Sequence, residues 1–301
     1  MALNLDHLRS FAEVIDSGSF SAAAERLGLT QPAVSLQIRQ LERRLGVRLI
    51  ERVARRATPT PAGTELLEHA RRIEAAVEDA MHAMAGHHQG ISGSVGMGTG
   101  ATACIHLLPP LLSELHRAFP ALEVQVSTGN TAQFVKAVED NRLDLALVTL
   151  PVSSRSLQIT PVLEDEFVAI FAETDTSSVT AAPTPAALAE RPMVVFEAHT
   201  NTRQLIDDWF LQAGLRPKPT MELGSIEAIK EMVAAGLGFG IVPAMAVAAR
   251  RHRRGLRVLP LKPGLSRTLA IVMRQDKPLN RGLQQVVQAL RSLTPPVVEA
   301  P

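Results

Sequence analysis

Thr30, Gln31, Ala33, Ser35, Gln37 and Arg39 are small, hydrogen-bonding or basic residues crowded into one short stretch of the chain. Such side chains reach base edges in the major groove of DNA and grip its phosphates. The element that would present them is a helix. Thr30 suits the N-cap, Gln31 and Pro32 the first turn, and Val34, Ile38, Leu41 and Leu45 recur at helical spacing. The polar set lies off that apolar stripe. An ordinary amphipathic surface helix would carry the same stripe, so the flanking sequence decides.

Upstream, Leu8, Phe11, Ala12 and Ile15 mark a first helix that Gly18 ends. Ser19 or Ser21 caps a short second helix, Ala22 to Leu27, which Gly28 stops. Helix, tight glycine turn, helix is a DNA-binding unit. Gly46 closes the reading helix. Val47 to Arg52 and Val53 to Pro59 then read as the two short strands of a wing, and Thr60-Pro61 opens another helix. Charge follows the same elements. From Arg26 to Thr58 eight arginines face only Glu42 and Glu51, a local balance of +6 in a chain whose net charge is +1. A solvated face normally mixes signs, whereas an arginine patch suits a phosphate backbone.

The run SGSFSAAAERLGLTQPAVSLQIRQLERRLGVRLIERVARRATPTPAG, Ser17 to Gly63, resembles the N-terminal winged helix-turn-helix of LysR-type transcriptional regulators. The resemblance extends over the whole chain in length and order and is sharpest in the first 65 residues. It departs at Ile50, where the family usually has Phe, and in the wing at ATPTPAG. It implies base or backbone contacts from Gln31, Pro32, Ala33 and Ser35, and phosphate contacts from Arg39, Arg52 and Arg55. Ser21, Thr30, Gln37 and Arg56 complete the expected DNA-binding set.

Beyond Pro61, Leu66, Ala70, Ile73, Val77, Ala80 and Met84 repeat at 4-3-4-3-4 spacing. That is a heptad seam, and a dimer coiled coil is the expected reading; packing of the stripe on the protein's own core is the alternative. A dimer would set two reading helices one or more DNA turns apart on an inverted repeat. His87 to Gly93 reads as a hinge. The paired His87 and His88 lack a Cys or acid partner, so no metal is expected.

From Ser94 strands and helices alternate. The spacing predicts one helix over Thr102–Ala118, strands at Leu157–Val162 and Phe167–Ala172, a helix from Pro243, and a closing strand Thr268–Met273 and helix Leu279–Leu293. The expected fold class is α/β with an all-α, winged N-terminal domain: winged helix-turn-helix over 1–60, long linker helix and hinge over 61–90, and a two-lobed α/β effector domain over 91–301. Lobe I would take about 91–163 and 267–301, lobe II about 164–266. LysR-type effector domains look like this and resemble periplasmic solute-binding proteins.

Ligands bind where strand ends and helix N-termini converge. Gly100, Ala101 and Thr102 follow one strand; Thr128, Gly129, Asn130 and Thr131 follow the next; Thr149 follows the third. In the other lobe Phe196, Thr200, Asn201 and Thr202 sit at another helix start. Exposed N–H groups there favour an anion, and Arg203 would pair a carboxylate. The plainer reading of these threonines is helix capping. The family resemblance implies effector contact at Thr102, Thr149 and Thr202.

Several classes are excluded. There is no apolar run of about 18 residues for a membrane span and no secretory leader pattern. Cys104 is the only cysteine, so no internal disulfide forms; one turn into an apolar helix, it reads as a packed thiol. Tyr is absent and Trp209 is the only Trp, against a single-strand stacking platform. Gly96 to Ala101 fits a relaxed dinucleotide pattern, but Thr128-Gly129 stand where the ribose-binding acid belongs. No hydrolase, P-loop or zincin motif occurs, so neither an enzyme nor a cofactor is expected. The expectation is a cytoplasmic regulator with three partners: double-stranded DNA, a small anionic metabolite, and its own copies as dimer or tetramer. RNA polymerase is left open as a fourth. The rival is a cytosolic small-molecule receptor acting through a protein partner.

Overall fold

The computed structural model describes residues 3–53, 56–85, 91–176 and 181–294. The chain divides into two compact units, and the main boundary falls between residues 87 and 88.

The first unit holds α1 (Leu5–Ser17), α2 (Phe20–Leu27), α3 (Gln31–Leu45), a hairpin of β1 (Ile50–Val53) and β2 (Arg56–Pro59), and α4 (Pro61–Ala85). Asn4, Ser19 and Thr30 cap the first three helices, each accepting a backbone N–H. Ser19 therefore takes the cap of α2, and Ser21 stays exposed. Phe11, Val14, Ala23, Val34, Ile38, Leu41 and Leu49 form the core. Leu45, the last member of the α3 stripe, is 37% exposed because the helix runs past the edge of that core. The Glu42 carboxylate accepts from the Leu49 N–H at 2.8 Å and ties the wing to α3. At Gly63 a Cβ would lie 2.0 Å from the Leu49 carbonyl oxygen, so only glycine lets α4 start against the wing.

The linker seam is partly used within the unit. Ala70 is 3% exposed in the unit's own core, and Leu66 and Ile73 pack against it. Arg71 pairs with Asp16 at 2.6 Å, further fastening α4 to α1. Val77 and Ala80 remain exposed, beside Met81 at 68%. The side chain of Met84 lies outside the described residues. Ala70 of the expected partner-facing seam is thus corrected to self-packing, while Leu66 and Ile73 are half-buried at the edge of the core. The same periodicity serves either surface, and sequence alone does not say which one a stripe meets.

The second unit runs β3 (Gly93–Thr99), α5 (Ala101–His106), α6 (Leu108–Ala118), β4 (Leu122–Thr128), α7 (Thr131–Glu139), β5 (Leu145–Thr149) and β6 (Leu157–Ala172). It continues with α8 (Pro185–Leu188), β7 (Met193–Phe196), α9 (Asn201–Leu211), β8 (Met221–Leu223), α10 (Ile226–Ala234) and β9 (Phe239–Pro243). It ends with β10 (Leu256–Pro260), β11 (Ser266–Arg274) and α11 (Arg281–Arg291). The strands order as β4-β3-β5-β11-β6-β9-β7-β8, with β10 also on β6.

β6 is the hinge of this order. Up to Glu166 it pairs antiparallel with β11; from Phe167 it pairs with β9, and from Val168 also with β10. The two strands expected here are one. The polar run Leu163–Glu166 suggests a turn, but Glu164 and Glu166 are exposed while Leu163 and Asp165 are buried, the alternation of a strand. Separate cores result, one under β3, β5 and β11 with α6 and α11, the other under β7, β9 and α9 and α10. The single helix expected over Thr102–Ala118 breaks at Leu107. Pro109 and Pro110 cannot donate into a preceding turn and disfavour helix before them. The helix expected from Pro243 is two short 3-10 turns, Ala244–Val247 and Arg250–His252, and β10 follows where no strand was expected.

Candidate nucleic-acid interface and effector cavity

On α3, Thr30, Gln31, Pro32 and Arg39 are exposed, and Ala33 and Ser35 half-buried. Gln31, Ser35 and Arg39 stand one turn apart on a single face. Gln31 Nε2 donates to Ser35 Oγ at 2.8 Å, and Arg39 Nε donates to the Ser35 carbonyl at 3.3 Å. These contacts pre-order the row without burying it. Gln37 departs from it. Its Oε1 accepts from the buried Ser10 hydroxyl at 2.5 Å, so it bridges α3 to α1. The reason is helical phase: position 37 flanks Val34, Ile38 and Leu41, which face the core. Arg43, Arg44, Arg48 and Arg56 are exposed, with Arg56 on the wing. Arg26 is paired with Glu13 at 2.9 Å. Arg55 lies outside the described residues, and Arg52 is placed only by its register opposite Ala57.

The second site is a cavity of about 450 Å³ between the two lobes of the second unit. It takes the strand-end segments of both lobes. Ala101, Thr102, Gly129, Asn130, Thr149, Phe196, Thr200 and Thr202 all line it. Gly98 lies just behind; a Cβ there would come within 2.3 Å of the Phe134 ring, another lining residue. The starts of α5, α7, α9 and α10 all border the cavity. Asn130 caps α7, accepting from the Gln133 N–H at 2.9 Å, while its own N–H donates to Gln133 Oε1 at 3.1 Å. Asn201 spans the lobes: its Nδ2 donates to the carbonyls of Thr149 at 2.7 Å and Pro151 at 3.0 Å.

Two expected contacts change. Arg203 does not line the cavity. Its Nε donates to Asp207 at 2.9 Å, its Nη1 to the Phe196 carbonyl at 2.8 Å, and Glu222 lies 3.3 Å away. It braces the loop from behind, because neighbours on a helix point about 100° apart and Thr202 takes the cavity side. Thr200 borders the cavity, but its hydroxyl is used as a cap, accepting from the Arg203 N–H at 3.1 Å and donating to the Glu197 carbonyl at 3.2 Å.

Arg267, absent from the expected set, places a guanidinium in the cavity wall, already paired with an acid. It is 6% exposed and lines the cavity from β11. Directly across the ladder is Asp165 on β6, 3% exposed. Arg267 Nε donates to Asp165 Oδ2 at 3.0 Å, and Nη2 lies 2.9 Å from the same oxygen. Nη1 donates to Thr202 Oγ1 at 3.3 Å, and the Met245 N–H supports Asp165 Oδ1 at 3.2 Å. Burial pushes the Asp165 carboxyl above the usual carboxylate range against the pull of Arg267, and burial likewise lowers the guanidinium. His199 also lines the cavity and holds φ of +71°, a backbone conformation that non-glycine residues rarely adopt and that clusters at ligand sites. The one available signal for Arg267 was a lone charge opening an apolar strand, and such a charge is seldom buried unpaired. Cys104 is half-buried and is not among the lining residues.

The comparisons with known proteins cover both units. Residues 5–64 match the helix-turn-helix model of bacterial regulatory proteins of the lysR family, and residues 88–295 match the LysR substrate binding domain. The DNA-binding transcriptional dual regulator OxyR of Escherichia coli is 29% identical over 292 residues, covering 96% of this chain and 95% of that one. A full-length OxyR variant from Pseudomonas aeruginosa aligns over 100% of both chains with a TM-score of 0.77 at 24% identity. CbnR complexed with its target DNA aligns over 96% of this chain and 99% of that one, with a TM-score of 0.71 at 21% identity. The winged reading head, the two-lobed α/β unit and these matches agree: the chain belongs to the LysR family of DNA-binding transcriptional regulators, with an effector-binding domain and no enzymatic role.

Proposed function

We propose that this regulator reads an inverted-repeat DNA site through Gln31, Ser35 and Arg39, and that a small anion held between the lobes controls how it does so. Ser21, Thr30, Pro32 and Ala33 border the reading row, and Arg52, Arg55 and Arg56 hold phosphates from the wing. The functional division follows the expected boundaries, with 1–60 reading DNA, 61–90 linking and 91–301 sensing. The protein works in the cytoplasm as a dimer or tetramer in which Val77, Ala80 and Met84 of α4 meet a second copy.

The observation that carries the anionic class is a cavity bordered by the starts of four helices and by threonine hydroxyls, with Arg267 in its wall but already paired with Asp165. N-terminal N–H groups favour negative charge. A cavity of this size suits a metabolite rather than a polymer. Occupation would favour one lobe orientation and change the spacing of the paired DNA-reading heads.

The test is a thermal-shift panel of carboxylates, phosphates and sulfates on the full chain. A ligand at 100 times its Kd should add about 2.7 kcal/mol of stability. A positive ligand must then alter a gel shift on double-stranded DNA. Stabilisation by neutral or cationic compounds alone would remove the anionic class.

A further inference from the structure

α5 and α10 wall the cavity from opposite lobes, and they are joined at a point that no expected effector contact uses. His106 ends α5 and Glu227 stands in the first turn of α10. His106 Nε2 lies 2.9 Å from Glu227 Oε1, with the imidazole side chain 2% exposed. A carboxylate only accepts, so Nε2 carries the proton and donates. Lys230, 5% exposed, donates to both Glu227 oxygens at 3.1 and 2.9 Å and to the Ala246 carbonyl at 3.0 Å. His252 closes the group, its ring edge-on to His106 with centroids 4.8 Å apart. Arg251 Nε donates to His252 Nε2 at 3.0 Å, and Glu114 of α6 borders the same groove as His106.

His106 Nδ1 is buried and has no hydrogen-bond partner among the described residues. In the neutral ring it is a bare lone pair. In the charged ring it becomes an N–H donor with nothing to receive it, close to the Lys230 ammonium, and an unmet buried donor is costly. We propose that His106 and Glu227 form a proton-sensitive clasp that ties the C-terminal end of α5 to the N-terminal end of α10 beside the cavity, so that acidification loosens its walls. The reach is short: Ala101 and Thr102 of α5 and Ile226 of α10 all line the cavity.

The sign follows from the surroundings. Burial, with smaller help from Lys230 and His252, holds His106 below the ordinary imidazole range against the pull of Glu227. Burial likewise lowers His252, with Lys230 and Arg251 adding to it. Desolvation opposes the charge on Glu227, but Lys230 and His106 outweigh it and hold the carboxyl below the usual range. Glu227 therefore stays ionised while the imidazoles titrate. The clasped state prefers a neutral His106, so the loosened state binds the extra proton. The clasp is complete above about pH 6.5 and weakens as pH falls below that value.

Hydrogen exchange of the ligand-free full chain, followed by mass spectrometry from pH 7.5 to 5.5 and corrected for intrinsic rates, tests this. Residues 101–106 and 226–234 should gain exchange together below about pH 6.5, by at most about tenfold per pH unit, the limit for one linked proton. His106→Gln keeps a donor toward Glu227 but cannot titrate, and should abolish the step. Glu227→Gln keeps an acceptor but removes the charge that raises His106, so the step should still begin near about pH 6.5 but run on to lower pH and end deeper. A flat wild-type profile, an unchanged step in His106→Gln, or a step that ends no lower and no deeper in Glu227→Gln overturns the proposal. Should His106→Gln fail to fold, the Glu227→Gln arm decides, since that side chain is 43% exposed. No effector is present, so failure here leaves the anion reading standing, and failure of the anion panel leaves the clasp standing.

Discussion

The reading head and the interlobe cavity solve recognition in opposite ways. Gln31, Ser35 and Arg39 come from one helix, and their geometry is set by helical phase and a cap at Thr30. The cavity draws on residues from Thr99 to Leu269, brought together only because β6 runs from one lobe into the other and the chain returns between β10 and β11. The head is a local device on a small core. The cavity is a product of topology, and its central charge pair, Arg267 with Asp165, spans more than a hundred residues of sequence. Local chemistry tolerates single changes and loses specificity; topological chemistry couples ligand contact to stability.

That contrast can be broken experimentally. The largest effect is expected from Arg267→Met, which leaves Asp165 buried without its partner. The loss should be about 3–5 kcal/mol by urea unfolding of the full chain. A loss below about 1 kcal/mol would mean that the crossing strands do not depend on the pair. Next, Gln31→Ala should leave stability nearly unchanged and lower discrimination against mismatched sites by about 1–3 kcal/mol in competition gel shifts. Equal discrimination by variant and parent would remove the groove assignment. Thr102→Val should cost an anion identified by thermal shift about 0.5–1.5 kcal/mol of affinity, the worth of one hydrogen bond, with melting of the free protein unaltered. The smallest effect belongs to Arg56→Ala. Binding to all duplexes should weaken alike, and the slope of log affinity against log salt should fall by about one. A sequence-dependent effect there would move Arg56 from the phosphates to the bases.

The head was legible because its signals are short-range. Apolar spacing, Gly18, Gly28 and Gly46 in left-handed caps, and an all-arginine patch lie within sixty residues. Gln37 was misread only because it sits at the edge of the stripe. The cavity was half legible. Strand ends and helix starts announced Thr102, Asn130, Thr149 and Thr202, since those positions follow from βα alternation. Arg203 was chosen over Arg267 because proximity along the chain stood in for proximity in space. Leu66, Ala70 and Ile73 show the same limit, as a stripe facing α1 is periodic in the same way as one facing a second chain.

By itself the sequence determined which helix can enter a groove, where the arginine charge lies, that the second unit alternates strand and helix, and that one thiol rules out an internal disulfide. Those properties depend on neighbours a few residues away, or on composition. Tertiary structure alone decided that Arg267 faces the cavity, that Arg203 turns behind it, that Gln37 is held by Ser10, and that His106 meets Glu227. Each is a pairing of side chains between separate elements. Chain crossing and packing set those distances, and no local pattern in the sequence encodes them.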